Sequence, residues 1–391
     1  MLKDKNLIIL FIFLSLLFVS FFPVFLDILG KIPGFESTDE SYAVIWNAWR
    51  LKFSCLGNFS IRRTNLISYP FGIDFYVNQP IGYLWFLINF LLAIFTTPIL
   101  TYNLQVFFNF FLTSVFAYLL VYTLTNQKLC GLLAGIAFGF SPYIFVRAWQ
   151  HLGETYLWPI SLFLWSLFRL KDENNFTAKI GFVLSIIFST FNFDVTYYIF
   201  VIFGVFLSYI IIFYCRRGNL CIIYMRKIIP LIMIVIFILS FQFFPIFKNI
   251  ISSKGKEVSA FNPYHRPFDD LFTQSAKPLS YFLPAVVHPI FGKFTQRFIG
   301  SPLYGVSYTE HTLYLGWTPI LLALYAVRVW RKKRRKIYPY FSFVSEKDNF
   351  YIGFFILLTG VAWFFSQPPW WRIGSIKIYM PSFFMYKILP M

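Results

Sequence analysis

Long apolar runs alternate with short polar connections along most of the chain. The runs lie at about residues 7–29, 81–100, 104–124, 131–146, 156–170, 180–192, 196–214, 228–247, 312–330 and 350–365. Several approach or reach the ~20 residues that a helix needs to cross the hydrocarbon of a membrane. No ten-residue alternation typical of a transmembrane barrel competes with them. The pattern predicts an all-α, polytopic transmembrane helix bundle with about nine to ten spans.

The polar interruptions suggest an orientation for this bundle. Two of them are long, residues 30–80 and 248–311, and we take the chain as a single membrane domain, 1–391, that contains both. If all the runs crossed, the basic cluster at 328–336 would lie outside, against the positive-inside rule. If the segment 81–100 instead dips into the membrane and returns, or lies on its surface, about nine segments cross and the basic cluster lies inside. The N-terminus is then cytoplasmic and both long loops are external.

Composition agrees with a membrane location. The chain is 58% hydrophobic and 13% charged, with a mean hydropathy of +0.65. Its formal charge of +18 comes from short basic clusters between apolar runs, which are typical of cytoplasmic anchors rather than of a nucleic-acid-binding face. The four cysteines show neither a disulfide framework nor metal-ligand spacing. Abundant Phe, Ile and Lys hint at an AT-rich prokaryotic genome, hence at a cytoplasmic membrane.

Three carboxylates, Glu36, Asp39 and Glu40, follow the first apolar run directly. The next stretch, residues 41–53, is amphipathic at helical spacing. It predicts an interfacial helix whose apolar face rests on lipid while Arg50 and Lys52 reach headgroups. The alternative is a helix that simply caps the bundle.

Other polar residues share the external side in this topology. They are Arg147, His151, Glu154, Asp194, His265, Arg266, Asp269, Asp270, His288, Glu310 and His311. Carboxylates beside a membrane can take a proton from an acceptor hydroxyl, while arginines or a divalent cation stabilise a phosphate leaving group. The candidate cationic residues are Arg62, Arg63, Arg147, Arg266 and Arg372. For each arginine, an ordinary headgroup contact is the alternative.

Several segments together resemble the GT-C superfamily of membrane glycosyltransferases, which includes protein O-mannosyltransferases, lipid A aminoarabinose transferases and the catalytic subunit of oligosaccharyltransferase. The resembling segments are ESTDESYAVIWNAW, YPFGIDFYVNQPIGYLWF, CGLLAGIAFGFSPYIFVRAWQHLGE, and YFLPAVVHPIFG followed by YTEHTLYLGWTPILL. They occur in the same order along most of the chain. The chain ends at SFFMYKILPM, where such proteins usually continue, so we expect a truncated sequence.

The resemblance implies specific roles for residues of this chain. Asp39 becomes the catalytic base or metal ligand of the first external loop, with Glu40 as its neighbour and rival. Glu154 and Glu310 become further acidic ligands, and Mg²⁺ or Mn²⁺ the candidate cation, although the chain lacks the Asp-rich second loop and the WWDxG-like motif of the oligosaccharyltransferase branch. A structural alternative pairs Glu154 with Arg147. His151 and His311 can position a phosphate or sugar hydroxyl, or serve as plain hydrogen-bonding residues.

The sequence therefore predicts a glycosyltransferase that moves a sugar from a polyprenyl-phosphate-linked donor to an envelope glycan, lipid or protein on the external face. Asp39, Glu40 and Glu154 are its predicted catalytic residues. The predicted substrate-binding residues are Arg62, Arg63, Arg147, His151, Glu310 and His311. Two alternatives stay open: a polyprenyl-glycan transporter or polymerase-like protein, and a non-catalytic relative that only binds lipid.

Overall fold

The computed structural model describes residues 2–34, 39–57, 59–74, 83–172, 175–214, 220–252, 267–307, 310–334 and 346–388. Most of these residues are helical. The helices are α1 (Leu2–Ser20), α2 (Phe22–Phe25), α3 (Asp39–Leu56), α4 (Tyr83–Phe95), α5 (Pro98–Thr125), α6 (Lys128–Gly139), α7 (Pro142–Gln150), α8 (Trp158–Asp172), α9 (Phe176–Ser189), α10 (Phe193–Tyr214), α11 (Leu220–Ser252), α12 (Asp270–Thr273), α13 (Gly292–Gln296), α14 (Trp317–Arg334), α15 (Glu346–Phe365) and α16 (Pro381–Ile388). Short 3₁₀ helices lie at Leu152–Thr155 and Pro278–Tyr281.

Within the described residues, two small antiparallel hairpins accompany the helices. Strands β1 (Arg63–Thr64) and β2 (Ile73–Asp74) form the first, and β3 (Trp370–Ile373) and β4 (Ile376–Tyr379) form the second. The chain divides into two compact units. Unit 1 comprises residues 1–140, 147–201 and 214–261, and unit 2 comprises 141–146, 202–213 and 262–391.

The helical, apolar character predicted from the sequence is confirmed. Among the described residues, three helical stretches are long and apolar enough to cross a membrane: Pro98–Thr125, Lys128–Trp149 and Val195–Ile212. Shorter apolar helical stretches lie at Leu7–Ser20, Phe176–Ser189 and Asn349–Phe365. Large apolar side chains are exposed along these helices, as at Phe11 of α1 and Phe200 of α10. Exposed apolar surface of this kind is compatible with a membrane protein.

Three predicted segments are divided differently in the structure. The run 7–29 is not one helix, because α1 ends at Ser20 and Pro23 lies at the start of a separate short helix. Helix α4 has 13 residues, about 20 Å, which is short of the ~30 Å hydrocarbon thickness. Thr97 then caps α5 by accepting a hydrogen bond from the Leu100 amide. The run 131–146 contains the end of α6 and the start of α7.

A glycine face lets α6 pack closely on α5 within unit 1. Gly131, Gly135 and Gly139 recur every four residues and are buried. A Cβ added at Gly139 would lie 2.8 Å from the Ser114 Cα atom, and one at Gly131 would lie 2.7 Å from the Tyr118 ring. Small residues at this spacing are typical of tightly packed membrane helices, since they let the two backbones approach.

The amphipathic helix predicted at 41–53 is present as α3, but its surroundings differ from the prediction. Ala48 and Leu51, on its apolar face, are buried within the protein rather than resting on lipid. Arg50 is also fully buried. Its Nη1 donates to the Ile61 carbonyl at 2.7 Å, and its Nε and Nη2 donate to the Asn47 side chain. The headgroup prediction for Arg50 is therefore wrong, because this guanidinium ties α3 to the segment that follows it.

Candidate functional site

Buried polar side chains on α5 organise the candidate site in unit 1. Tyr102, Asn103, Gln105 and Asn109 are all buried in the first half of this helix. Buried polar groups need hydrogen-bond partners, and these groups find theirs on other segments. The Asn103 amide donates to the carbonyls of Ile28 and Lys31, 2.8 Å from each. Helix α5 thus fixes the turn that precedes the predicted acidic loop.

The same helix fixes the segment after α7. The Asn109 amide donates to Thr155 Oγ1 at 2.8 Å, and the Tyr156 hydroxyl donates to Gln105 Oε1 at 2.8 Å. These two bonds hold the C-terminal end of one short turn against α5.

A third set of bonds brings the start of α3 to the end of α7. Ser41 Oγ donates to the Trp149 carbonyl at 2.8 Å and lies 3.0 Å from the Tyr102 hydroxyl. The Tyr102 hydroxyl donates to the Ala148 carbonyl at 2.9 Å. Because Glu40 precedes Ser41, its carboxylate is carried to the end of α7.

Two side-chain pairs of unit 1 lie there, Glu40 with His151 and Arg147 with Glu154, and we call the two pairs together the helix-end cluster. Glu40 Oε2 lies 2.6 Å from His151 Nδ1. Arg147 Nε lies 2.9 Å from Glu154 Oε2. Backbone bonds tie the pieces together, since the His151 amide donates to the Arg147 carbonyl and the Glu154 amide donates to the His151 carbonyl.

The two pairs differ in their exposure to solvent. The Glu40 and His151 side chains are 59% and 20% exposed, so a solute can reach this pair. The Arg147 side chain is only 5% exposed and Glu154 25%. The structural alternative for Glu154 is confirmed, because its carboxylate pairs with Arg147. The connection is not two turns of one helix, since α7 ends at Gln150 and a 3₁₀ turn follows.

Asp39 begins α3, but its side chain lies outside the described part of the structure. The same is true of the side chain of Asp194, and Glu36, His265 and Arg266 lie wholly outside it. The roles predicted for these residues stay predictions.

Arg62 and Arg63 lie in what we call the arginine hairpin, residues 59–74. Arg62 Nε donates to both carboxylate oxygens of Asp74, each at 2.8 Å, and Arg63 Nε donates to Asp74 Oδ2 at 3.2 Å. Sequence reasoning did not single out Asp74. The predicted contact of the two arginines with a phosphate stays a prediction, and in the structure both are engaged with this carboxylate.

Glu310 and His311 belong to unit 2. His311 is fully buried, and its Nδ1 lies 2.9 Å from the Ser307 carbonyl. Its ring packs on Gly305, whose φ of +94° and lack of a side chain permit the approach. The Glu310 amide donates to Ser307 Oγ at 3.2 Å. Glu310 and His311 thus both hydrogen-bond to Ser307.

The predicted Mg²⁺ or Mn²⁺ ion can be tested against these donors. Among the described residues, no three His, Cys, Asp or Glu side chains are grouped to hold a metal ion. Within the helix-end cluster the Glu40 carboxylate faces an imidazole and the Glu154 carboxylate faces a guanidinium. The described side chains of the cluster therefore do not fit a divalent-cation site, and we assign no step to a metal.

Sequence reasoning missed the residues that build this cluster. Ser41, Tyr102, Gln105 and Asn109 were not singled out. A signal was present, since Gln105 and Asn109 lie four residues apart in an otherwise apolar run and therefore share a helix face.

Comparison of this chain with protein-family models, curated proteins and solved structures finds no match.

Proposed function

We propose that this chain is a membrane glycosyltransferase that moves a sugar from a polyprenyl-phosphate carrier to a hydroxyl of a cell-envelope acceptor. The proposal includes the GT-C-like topology, with about nine crossings, a cytoplasmic N-terminus and external long loops. Three long apolar helical stretches and exposed apolar surface support the membrane part. The helix-end cluster supports the chemical part.

The observation that favours an enzyme is the contact between Glu40 and His151. A carboxylate accepts hydrogen bonds and cannot donate them, so the 2.6 Å contact of Glu40 with Nδ1 favours the tautomer that has its proton on Nδ1. In the neutral imidazole Nε2 then has the lone pair. A carboxylate on one ring nitrogen and a lone pair on the other is the arrangement of an oriented general base.

The proposed step is proton removal coupled to sugar transfer. His151 Nε2 takes the proton of the acceptor hydroxyl while the hydroxyl oxygen bonds to the anomeric carbon of the donor sugar. The bond from that carbon to the phosphate oxygen breaks, and polyprenyl phosphate leaves with the electron pair. Glu40 stabilises the imidazolium that forms. Arg147, oriented by Glu154, contributes positive charge near the leaving phosphate.

This proposal differs from the sequence-based hypothesis in the identity of the base. That hypothesis assigns the proton to Asp39, whereas the described geometry favours His151 with Glu40 as its positioning residue. Asp39 begins α3, and His151 contacts Glu40, the second residue of that helix. The two hypotheses therefore place the base at the N-terminus of α3 and differ in which side chain takes the proton.

The test uses the full chain in proteoliposomes, a panel of radiolabelled polyprenyl-phosphate hexoses and pentoses, and an envelope extract as acceptor. We expect His151→Asn to lower the transfer rate by about 100-fold or more, which is the usual contribution of a general base. His288→Asn, a change in a unit 2 histidine, is the matched control and should keep the wild-type rate. Glu40→Gln should lower the rate less, because the imidazolium that forms loses the carboxylate that stabilises it.

The outcomes separate the hypotheses. A His151→Asn variant at the wild-type rate overturns the proposed base, and loss of transfer in Asp39→Asn alone assigns the base to Asp39. Movement of intact labelled lipid across the bilayer without release of polyprenyl phosphate supports the transporter alternative instead.

A further inference from the structure

Strands β3 and β4 form what we call the tryptophan hairpin, residues 370–379 of unit 2. Arg372 lies opposite Lys377, and Ile373 lies opposite Ile376 next to the turn. Because successive side chains of a strand point to opposite faces, the two faces of the hairpin carry different side chains. One face has Trp370, Arg372, Lys377 and Tyr379, and the other has Trp371, Ile373, Ile376 and Ile378.

The first face rests on the rest of unit 2 through Trp370. Its ring lies 4.8 Å from that of Phe272 and 5.5 Å from that of Phe268, centroid to centroid. Lys377 Nζ lies 4.6 Å from the Trp370 centroid, a cation–π contact. Arg372 and Lys377 are exposed and directly opposite each other, and like charges in such positions repel. An anion beside this pair would relieve the repulsion.

The second face is apolar and turned to the outside. Ile373 is 63% exposed and Ile376 65%, and Ile378 is also exposed. The base of this face is covered by the edge contact of Trp371 with Trp363 of α15 at 5.4 Å. Three exposed isoleucines on one small hairpin form an apolar patch of the kind that marks an interaction site.

The position of the hairpin indicates what covers the patch. Its first strand starts five residues after α15, whose stretch Asn349–Phe365 is apolar. Tryptophan and tyrosine at the end of an apolar helix are typical of the membrane–water interface. Residues 366–391 contain no Asp or Glu, and their cations are Arg372, Lys377 and Lys387. An apolar tip with only positive charge behind it complements an anionic lipid surface.

We propose that the tryptophan hairpin is an interfacial anchor that docks onto a bilayer containing anionic phospholipid. Ile373 and Ile376 enter the acyl-chain boundary, and Arg372 and Lys377, one residue or about 3.3 Å behind the tip, bind lipid phosphates. The proposal depends on the membrane location of the chain and is independent of the transferase chemistry.

The test places a fluorescent probe at the turn. Ser375→Cys, in a full chain whose four native cysteines are replaced by serine, is labelled with an environment-sensitive dye and reconstituted in nanodiscs. The discs contain phosphatidylcholine alone or with about one third phosphatidylglycerol, together with brominated lipid as a quencher. We expect a blue shift and quenching that are stronger with phosphatidylglycerol. Arg372→Gln and Lys377→Gln should each lower the ratio of docked to undocked probe about fivefold.

Matched variants isolate the patch and the charges. Ile376→Asp should abolish docking, whereas Ile290→Asp, at another exposed isoleucine of unit 2, should not. Lys293→Gln on α13 is the control for charge removal. If Ile376→Asp does not elute as a folded monodisperse protein, Ile376→Ser replaces it. A probe that stays unquenched in both lipid mixtures overturns the proposal. A blue shift that depends on protein concentration and not on lipid also overturns it, because it would indicate that a second copy of the chain covers the patch.

Discussion

The helix-end cluster and the arginine hairpin both pair arginine with a carboxylate in unit 1, but the fold builds them differently. In the hairpin, Arg62 and Arg63 are 43% and 75% exposed and their partner Asp74 lies on the opposite strand. In the cluster, Arg147 is 5% exposed, and Glu40 meets His151 across 111 residues of sequence. The hairpin pair joins two residues of one short chain segment, which Arg50 ties to α3. The cluster exists only when α3, α5 and α7 are assembled.

The largest predicted effect comes from removing the packing on which the cluster depends. Gly139→Leu places a side chain where the Ser114 backbone already lies, 2.8 Å from the first added carbon. We expect the free energy of unfolding to fall by about 3 kcal/mol, because neither helix backbone can move away cheaply. The measurement is thermal unfolding of the detergent-purified chain. Gly204→Leu on α10, where a Cβ meets nothing within 4 Å, is the matched control.

The same variant also tests the difference between the helix-end cluster and the arginine hairpin. Gly139→Leu should separate α5 from α6 and disturb the helix-end cluster, while the Arg62–Asp74 pair, whose members lie 12 residues apart, should be affected less. Equal melting temperatures for Gly139→Leu and Gly204→Leu would contradict the glycine-face packing.

The next effect compares the two ion pairs directly. Arg147→Met leaves the Glu154 carboxylate in a largely buried position without its guanidinium, and we expect a loss of about 3 kcal/mol. Arg63→Met removes a well-exposed partner of Asp74 and should cost under about 1 kcal/mol. Thermal unfolding at two salt concentrations measures both changes, and only the Arg63 effect should weaken with salt.

A double variant provides the control for this comparison. Arg147→Met with Glu154→Gln should recover part of the loss, because the second change removes the carboxylate charge that had faced the Arg147 guanidinium. Equal costs for Arg147→Met and Arg63→Met would mean that burial does not distinguish the two pairs.

The sequence predicted local features better than long-range ones. The amphipathic helix expected at 41–53 is found at Asp39–Leu56, because its spacing is readable within a few turns. The Arg147–Glu154 pair was foreseen as an alternative, since its members lie seven residues apart. The Glu40–His151 contact was not foreseen, because only the packing of α3 against α5 and α7 brings its members together. Asp74 was missed for a related reason, since strands of two residues give no alternation to recognise.

The glycine face shows a different limit. Gly131, Gly135 and Gly139 are visible in the sequence at a regular spacing, yet an apolar run with small residues predicts a span without naming its partner. Likewise, residues 370–379 are rich in aromatic residues, and the period of two that makes them a hairpin extends over only four residues on each strand.

The variant with the smallest predicted effect tests whether α5 positions the helix-end cluster or only stabilises the fold. Asn109→Ala removes the 2.8 Å bond to Thr155 and should cost about 1 kcal/mol. Thr123→Ala on the same helix removes the 3.0 Å bond from Trp165 Nε1 and should cost a similar amount. If Asn109 positions the turn that follows His151, its variant lowers the transfer rate several-fold while Thr123→Ala leaves the rate unchanged at equal stability. Equal rates for the two variants would mean that the buried polar side chains of α5 contribute stability alone, and that His151 is held in place by Glu40 and the end of α7.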